Sequence, residues 1–559
     1  MARLTRREFL KLAGAVAATG TASTLVDLGA PRSAGAEAAA EFDGREMVAK
    51  VGDTFASIQL VPRFTKSAEP APVVTKVQYG TDPALATYQE SPEVVASSCT
   101  WRIDGTHVGP DGSRNLLVSR RCKLLSWDWE IAPGDLILNE TDRSTMSVTS
   151  LLDDQTVAGT LSGGSRNCWN SGDKWVLNRT YYWIENKLTG LSPSTKYYYR
   201  VVVMPPEGGW QAPRSIHSFW TRRPRGETFR FAIWADPHRD IVKSELKRRH
   251  WEEWSTLVEN VRRENADFLM DVGDTWTLAR GSGRPGSKYL PALYSMVMRP
   301  TRNGPGGYQG VADLCADCGY YMARGNHEGL NDYDSPYEKK LLSTLLKLFV
   351  PNPSGATYPQ GGSDDDDYDQ GYFAFEWGDA LFIVLDAVKY KEPKLKLRSP
   401  ERFHIGQKQL EWLTSTLQQS SARWKLIFVH HLFGGGNYYA RGGAAFAFDY
   451  ENAQLQALAE QYGAHIFKGH DHLLAEEYAH GVLYYCCGLA WGIQFNYSAK
   501  NGLDTFYPQG FTATSCRSDP PTCANNGYCV VEVSPTRVKI QYKSYQGNLI
   551  RETTLSAAA

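Results

Sequence analysis

Five apolar runs beyond residue 225 of this 559-residue chain lead into side chains that can bind a cation or move a proton. Asp236 and His238 close "FRFAIWADPH", Asp274 closes "DFLMDVGD", and Asn326, His327 and Glu328 stand together in "RGNHE". His430 and His431 end "WKLIFVHH", and His470 and His472 end "AHIFKGHDH". Taken singly these are weak signals, since an Asp-x-His or His-x-His pair is more often a surface loop or a satisfied core polar group than a ligand set. Together they supply carboxylates, several imidazoles and one neutral amide, with no thiolate. That set suits two borderline ions, divalent or trivalent, of the zinc, manganese or iron kind, and does not choose among them. Two cations ~3.5–4 Å apart can share a hydroxide, lower the pKa of its parent water and neutralise the oxygens of an attacked phosphoryl group. A bridging carboxylate fixes their separation, and an asparagine completes a site without adding charge.

Such a site needs a rigid frame, and the flanking sequence reads as one. "FRFAIWAD", "DFLMDVGD", "ALFIVLDA", "WKLIFVHH" and "AHIFKGHD" are near-continuous apolar runs of strand length, as in strands buried on both faces. Between them lie helical patterns: residues 244–264, with Trp254, Leu257, Val258 and Val261 on one face, then "GQKQLEWLTSTLQQ" and "ENAQLQALAEQYG". Strands alternating with helices predict an α/β domain whose sheets are covered on their faces, with ligands gathered where strand ends meet loops. The tail "GYCVVEVSPTRVKIQYKSYQG" predicts a hairpin edging one sheet. Gly273, Gly325 and Gly469 each precede a key residue and predict tight turns at the strand tips. Before the linker-like "TRRPRGE" the texture is all β, with short Val-, Thr-, Tyr- and Trp-rich runs between turn residues. The period of two in Tyr197, Tyr199, Val201 and Val203 turns one strand face to a sandwich core. Residues 41–225 exceed the ~100 of a simple sandwich, so long loops or extra strands are implied.

In this order, Asp-x-His, Gly-Asp, Gly-Asn-His-Glu, His and Gly-His-x-His resemble the signature of calcineurin-like metallophosphoesterases, from Asp236 to His472. The resemblance implies a layered metallophosphoesterase β-sandwich flanked by helices over 226–559. It also implies a hydrolase of phosphomonoesters or phosphodiesters whose nucleophile is a hydroxide shared by two metal ions. One ion falls to Asp236, His238, Asp274 and His472, and the other to Asp274, Asn326, His430 and His470, so that Asp274 bridges. His431 competes with His430 for the fourth block, and His327 is implied as proton donor to the leaving group. Trp276, Glu328 and His431 are candidates for the substrate side of the pocket. "LTGLSPSTKYYYRV" resembles a fibronectin type III module, and with "VQYGT" it looks like the N-terminal domain of purple acid phosphatases. That implies an all-β immunoglobulin- or fibronectin-like sandwich over 37–225. Those phosphatases add a tyrosine ligand three residues after the Gly-Asp aspartate, where this chain has Thr277, and they lack the histidine of the first block. No ferric-tyrosinate colour is therefore expected, and the pH optimum should lie nearer neutral or alkaline. The 52 residues from Asp274 to Asn326 and the 104 from there to His430 mark insertions that shape the substrate mouth.

The rest of the chain narrows the partners. With 60 basic against 61 acidic residues the net charge is -1, which argues against a nucleic-acid polymer or an anionic lipid surface and leaves a small phosphate ester as substrate. "TRREFLKLAG", a weakly apolar run and Ala34-Gly35-Ala36 resemble a twin-arginine export signal over 1–36, which implies a periplasmic or secreted protein. The plainer reading is a basic amphipathic helix. No later stretch approaches the ~20 apolar residues of a membrane span. Ten cysteines in so long a chain are no disulfide scaffold. Cys315-x-x-Cys318 reads as a loop disulfide or free thiols rather than half a zinc site, and Cys486 and Cys487 read as packing residues. "SDDDDYDQ" is a solvated loop, or else a calcium site within 364–369. Two other function classes stand beside the hydrolase: a catalytically inactive scaffold that binds ligands through the sandwich, and a metallohydrolase of another ester, such as sulfate.

Overall fold

The computed structural model describes residues 42–43, 46–61, 63–64, 72–119, 131, 134–152, 155–205, 208–237, 247–275, 311–325, 328, 349–353, 371–387, 405–431, 449–470, 474–488, 490, 512–514 and 527–557. The export signal expected over 1–36 and the acidic run at 364–369 lie outside these residues. None of the described helices is long and apolar enough to cross a membrane.

The N-terminal region is all β. β1 (Glu46–Ala49) and β2 (Phe55–Leu60) form a hairpin, and β3 (Val74–Gly80) crosses to a second sheet. β4 (Lys174–Thr189), 16 residues long, lies antiparallel to β2 and to Ser97–Thr106. β5 (Lys196–Met204) and β6 (His217–Trp220) join the smaller sheet in the order β6-β5-β3, with the short strands Gln89–Glu90 and Val94–Val95 on the far side of β3. Tyr197, Tyr199, Val201 and Val203 all point inward, as their period of two requires, and pack with Val77, Tyr182, Ile184 and Leu188. The excess length of the region becomes strands: Leu136–Asn139, Thr145–Leu151, Thr156–Ser162 and Leu116–Val118 extend the larger sheet outward from β4.

After residue 226 the chain alternates. β7 (Phe229–Trp234), α1 (Lys247–Arg263), β8 (Phe268–Asp271), α2 (Val311–Cys315) and β9 (Gly319–Met322) place three parallel strands side by side. The second sheet takes β10 (Phe373–Trp377), β11 (Ala380–Val384), then α3 (Gly406–Gln419), β12 (Trp424–Val429), α4 (Asp449–Tyr462) and β13 (Ala464–Lys468). β14 (Leu474–Ala479) and β15 (Val482–Cys487) extend it in the order β10-β11-β12-β13-β15-β14, with β11, β12, β13 and β15 parallel, and Thr512–Thr514 pairs with β14 at the edge. The tail forms β16 (Gly527–Val533), β17 (Arg537–Ser544) and β18 (Leu549–Ser556), an antiparallel meander that pairs β16 with β7.

The two sheets face each other across an aromatic seam. Phe268 stacks on Phe231 at 5.2 Å and meets Phe382 of the opposite sheet edge-on at 5.1 Å, while Tyr321 stacks on Phe375 at 4.4 Å. These are the offset and edge-to-face contacts that ring quadrupoles favour. On the outer face of the first sheet, α1 buries Trp254, Leu257, Val258 and Val261, with Trp254 5.1 Å from Trp234. On that of the second, α3 and α4 bury Leu413, Leu417, Leu455 and Ala459 against Leu381, Ile383 and Ile427. The layers therefore run helix, sheet, sheet, helix. Both faces of each inner strand are covered, which is why β8 and β11 carry no exposed residue.

The N-terminal region is joined to this sandwich by hydrogen bonds and by core. β1 runs parallel to β9 through Val48 and Gly319, and one cluster of buried side chains extends from Val77 and Tyr199 to Phe231 and Phe428. The linker-like "TRRPRGE" is fastened rather than loose. Arg222 pairs with Asp53, Arg223 reaches Asp267 at 2.9 Å, and Arg225 reaches Glu376 at 3.0 Å. Cys315, Cys318, Cys486 and Cys487 are buried free thiols, and among the described residues none belongs to a convergent metal-capable group.

Candidate metal centre

Four strand tips are laced together by main-chain and side-chain hydrogen bonds. After β7, Asp236 donates its amide to the Gly273 carbonyl at 2.9 Å, just beyond β8. After β12, His430 bonds through Nδ1 to the Val272 carbonyl at 2.8 Å. After β13, the Gly469 amide donates to the His430 carbonyl at 3.2 Å, and the His470 amide donates to Asp236 Oδ2 at 2.8 Å. The result brings Asp236, Asp274 and His430 into one buried group whose ligand atoms all lie within 4.8 Å of one another. His430, His431 and His470 form a second such group, with ring centroids 4.6 Å apart for the pair His431 and His470. Both histidines of the fourth block are thus at the site, His430 against the carboxylates and His431 against His470. His238, Trp276, Asn326, His327 and His472 lie outside the described residues.

The arrangement fits cations on two grounds. The first is charge. His430 Nε2 lies 3.2 Å from Asp274 Oδ2 and 3.9 Å from Asp236 Oδ1, and all three side chains are buried. Burial would lower the pKa of this imidazole, but the Asp274 and Asp236 carboxylates outweigh it and hold the pKa at about 10. The carboxylate pair thus favours positive charge at this position. With Nδ1 committed to a carbonyl, Nε2 is the atom left to coordinate, the usual orientation of a metal-binding histidine. The second ground is backbone strain. Asp236, Asp274 and His470 have φ of 54, 54 and 69°, in the left-handed region that costs a non-glycine residue of order 1–3 kcal/mol. Three strained residues at three strand tips, all converging, mark a site rather than a packing accident.

The glycines at these tips act differently from the expectation of three tight turns. Only Gly273, with φ of 93°, uses the left-handed region. Gly325 and Gly469 are required by close approach: a Cβ on Gly325 would meet Asp274 Oδ1 at 2.3 Å, and one on Gly469 would meet Asp236 Oδ2 at 2.7 Å. Glu328, expected on the substrate side, is instead buried and turned inward. Its Oε2 accepts the amide of Asp274 at 2.9 Å and that of Gly325 at 2.8 Å. It orients the proposed bridging aspartate and the loop that leads to Asn326.

Two further buried groups escaped the sequence reading. Arg324, directly before the Gly-Asn-His-Glu block, pairs with Asp386 at the end of β11, Nη2 to Oδ2 at 2.6 Å. Gln409 of α3 fixes that aspartate by bonding both its amide and its carbonyl. The pair ties the tip of the first sheet to the tip of the second. Asp271 ends β8 inside the core. The signal available for each was a charged residue at the end of an otherwise apolar strand, or two residues beyond it.

Residues 229–474 match the family model described as calcineurin-like phosphoesterase. This segment is a calcineurin-like phosphoesterase domain. No curated protein matches the chain. Among solved structures, the purple acid phosphatase PPD1 from yellow lupin (Lupinus luteus) seeds is similar at 13% identity and a TM-score of 0.50, covering 92% of this chain and 74% of its own. At that identity the likeness concerns fold, and it takes in the all-β region ahead of the phosphoesterase domain. A putative 5'-nucleotidase from Staphylococcus aureus overlaps at 16% identity, 60% of this chain and 55% of its own, with a TM-score of 0.31. A predicted phosphoesterase from Streptococcus pneumoniae TIGR4 overlaps at 12% identity, 59% and 98%, with a TM-score of 0.24. Neither overlap adds to the fold assignment. The phosphoesterase domain, with its convergent carboxylates and imidazoles, makes this chain a metal-dependent phosphoester hydrolase.

Proposed function

We propose that the protein is an exported dinuclear hydrolase of small phosphate esters, monoesters or diesters, carried to the periplasm or beyond by its twin-arginine signal. The observation that supports this most is the convergence of Asp236, Asp274 and His430 within 4.8 Å at strained strand tips. Asp236, His238, Asp274 and His472 would hold one ion, and Asp274, Asn326, His430 and His470 the other. Two bound cations supply an activated water near neutral pH and neutralise charge on the phosphoryl oxygens. The chain does the rest. Val272 holds the His430 ring so that Nε2 faces the carboxylates, Asp236 fixes the backbone of His470, and Glu328 fixes that of Asp274. His327, beside Asn326 in sequence, holds the proton for the departing alcohol, and His431 and Trp276 line the substrate side.

Asp274→Asn tests the reading. Wild-type protein should retain two equivalents of metal by elemental analysis and hydrolyse chromogenic phosphomonoesters or diesters faster than a sulfate ester. The variant should lose both bound metal and activity. Unchanged metal and rate would refute the dinuclear site, and a preference for sulfate would refute the substrate class.

A further inference from the structure

Asp271 has no place in any ligand scheme, yet it holds the turn on which three proposed ligands depend. It is fully buried at the end of β8. Thr275 Oγ1 donates to its two oxygens at 2.7 and 2.6 Å, the Tyr320 hydroxyl of β9 donates to Oδ2 at 2.7 Å, and the Gly273 amide donates to Oδ1 at 2.9 Å. One carboxylate thus binds the turn before and after Asp274 and anchors it to the neighbouring strand. Inside that turn, Gly273 and Asp274 both sit at positive φ, a conformation that persists only when its surroundings over-determine it. The turn reaches past Asp274 itself. Its Val272 carbonyl orients His430, and its Gly273 carbonyl receives the amide of Asp236.

We propose that Asp271 is the positioning residue of the metal centre, acting through Thr275 and Tyr320 to set Asp274, His430 and Asp236 relative to one another. The proposal rests on the reading of Asp274 as a ligand. A role in packing alone would be poorly served by a carboxylate, because taking a charge out of water costs free energy that an apolar residue of similar size does not. Partners that orient ligands without touching the ion typically contribute 10–100-fold in metal affinity or activity.

The test uses the full chain loaded with manganese or zinc and titrated with a chelator. Asp271→Asn should release metal at roughly 10–100-fold lower chelator strength, and should lower kcat while KM stays within about twofold. Tyr320→Phe and Thr275→Val, which each remove one donor and keep the carboxylate, should shift the release several-fold in the same direction. Val538→Ala, in β17, supplies a core defect remote from the turn and should lower the melting temperature without moving metal release. Wild-type release by both Asp271→Asn and Tyr320→Phe would overturn the proposal. So would release that merely tracks melting temperature across all four variants. If Asp271→Asn fails to fold, the two single-donor variants decide. Asp274→Asn, run in parallel, separates the two readings. If it keeps its metal, the ligand assignment is wrong. If it loses metal while the Asp271 and Tyr320 variants do not, only the positioning role is wrong.

Discussion

Gly325→Ala should cost about two decades of activity although Gly325 has no side chain to offer a metal or a substrate. The added Cβ would lie 2.3 Å from Asp274 Oδ1, 2.4 Å from the Asp274 amide and 2.8 Å from Glu328 Oε2, where ordinary contact begins at 3.4 Å. Relief needs a shift of about 1 Å, and the three nearest atoms belong to the proposed bridging aspartate and to the glutamate that holds it. Overpacking of this kind costs about 1–3 kcal/mol of stability. The larger effect is chemical, since displacing a reacting or ligating group by about 1 Å lowers rates roughly 10²-fold, or about 2.7 kcal/mol in the barrier. The assay is kcat/KM on a chromogenic phosphate ester together with metal content and a melting curve. Gly112→Ala is the control. Gly112 has φ of 76° with nothing within 4 Å of an added Cβ, so the substitution brings backbone strain alone and should leave activity intact. If Gly325→Ala keeps its metal and stays within about threefold of wild type, the contact between Gly325 and Asp274 does not position the ligand.

Two stability predictions address groups outside the chemistry. Burial pushes the His465 imidazole from an ordinary 6.5 down to about 4. The unfolded chain then binds more protons between those values, so this group's contribution is whole above pH 6.5 and is lost as pH falls toward 4. At pH 5 the loss is about 2 kcal/mol. His465→Gln keeps an acceptor for the Leu483 amide, so the wild-type-minus-variant difference in urea stability should change by that amount between pH 7.5 and pH 5, and a constant difference would refute it. For the buried pair of Arg324 and Asp386, Arg324→Met should destabilise by about 3–5 kcal/mol, because it strips a buried carboxylate of its cation. The double variant with Asp386→Leu should recover much of that loss in denaturant melts, and a double variant no better than the single would show the pair is not the source.

What the sequence made legible, and what it hid, follows from how far apart partners lie along the chain. α3 spans Gly406–Gln419, the stretch its apolar period marks, and β7, β8, β11, β12 and β13 fall inside the apolar runs that predict them. Those patterns are local. The site residues were legible for a different reason: a cation demands particular side-chain types, and few other needs place Asp, His or Asn directly after a buried strand. The hidden parts were mostly non-local. Tyr320 reaches Asp271 from 49 residues away and Arg324 reaches Asp386 from 62, while β1 joins the catalytic sheet through Val48 and Gly319. The two amides that Glu328 accepts were not legible, since a carboxylate that accepts amides and one that meets a substrate look the same in a sequence. A ligand is recognisable because the ion accepts only a short set of donors. A positioning residue is not, because any buried group with the right reach can hold a turn, and only the fold says which one does.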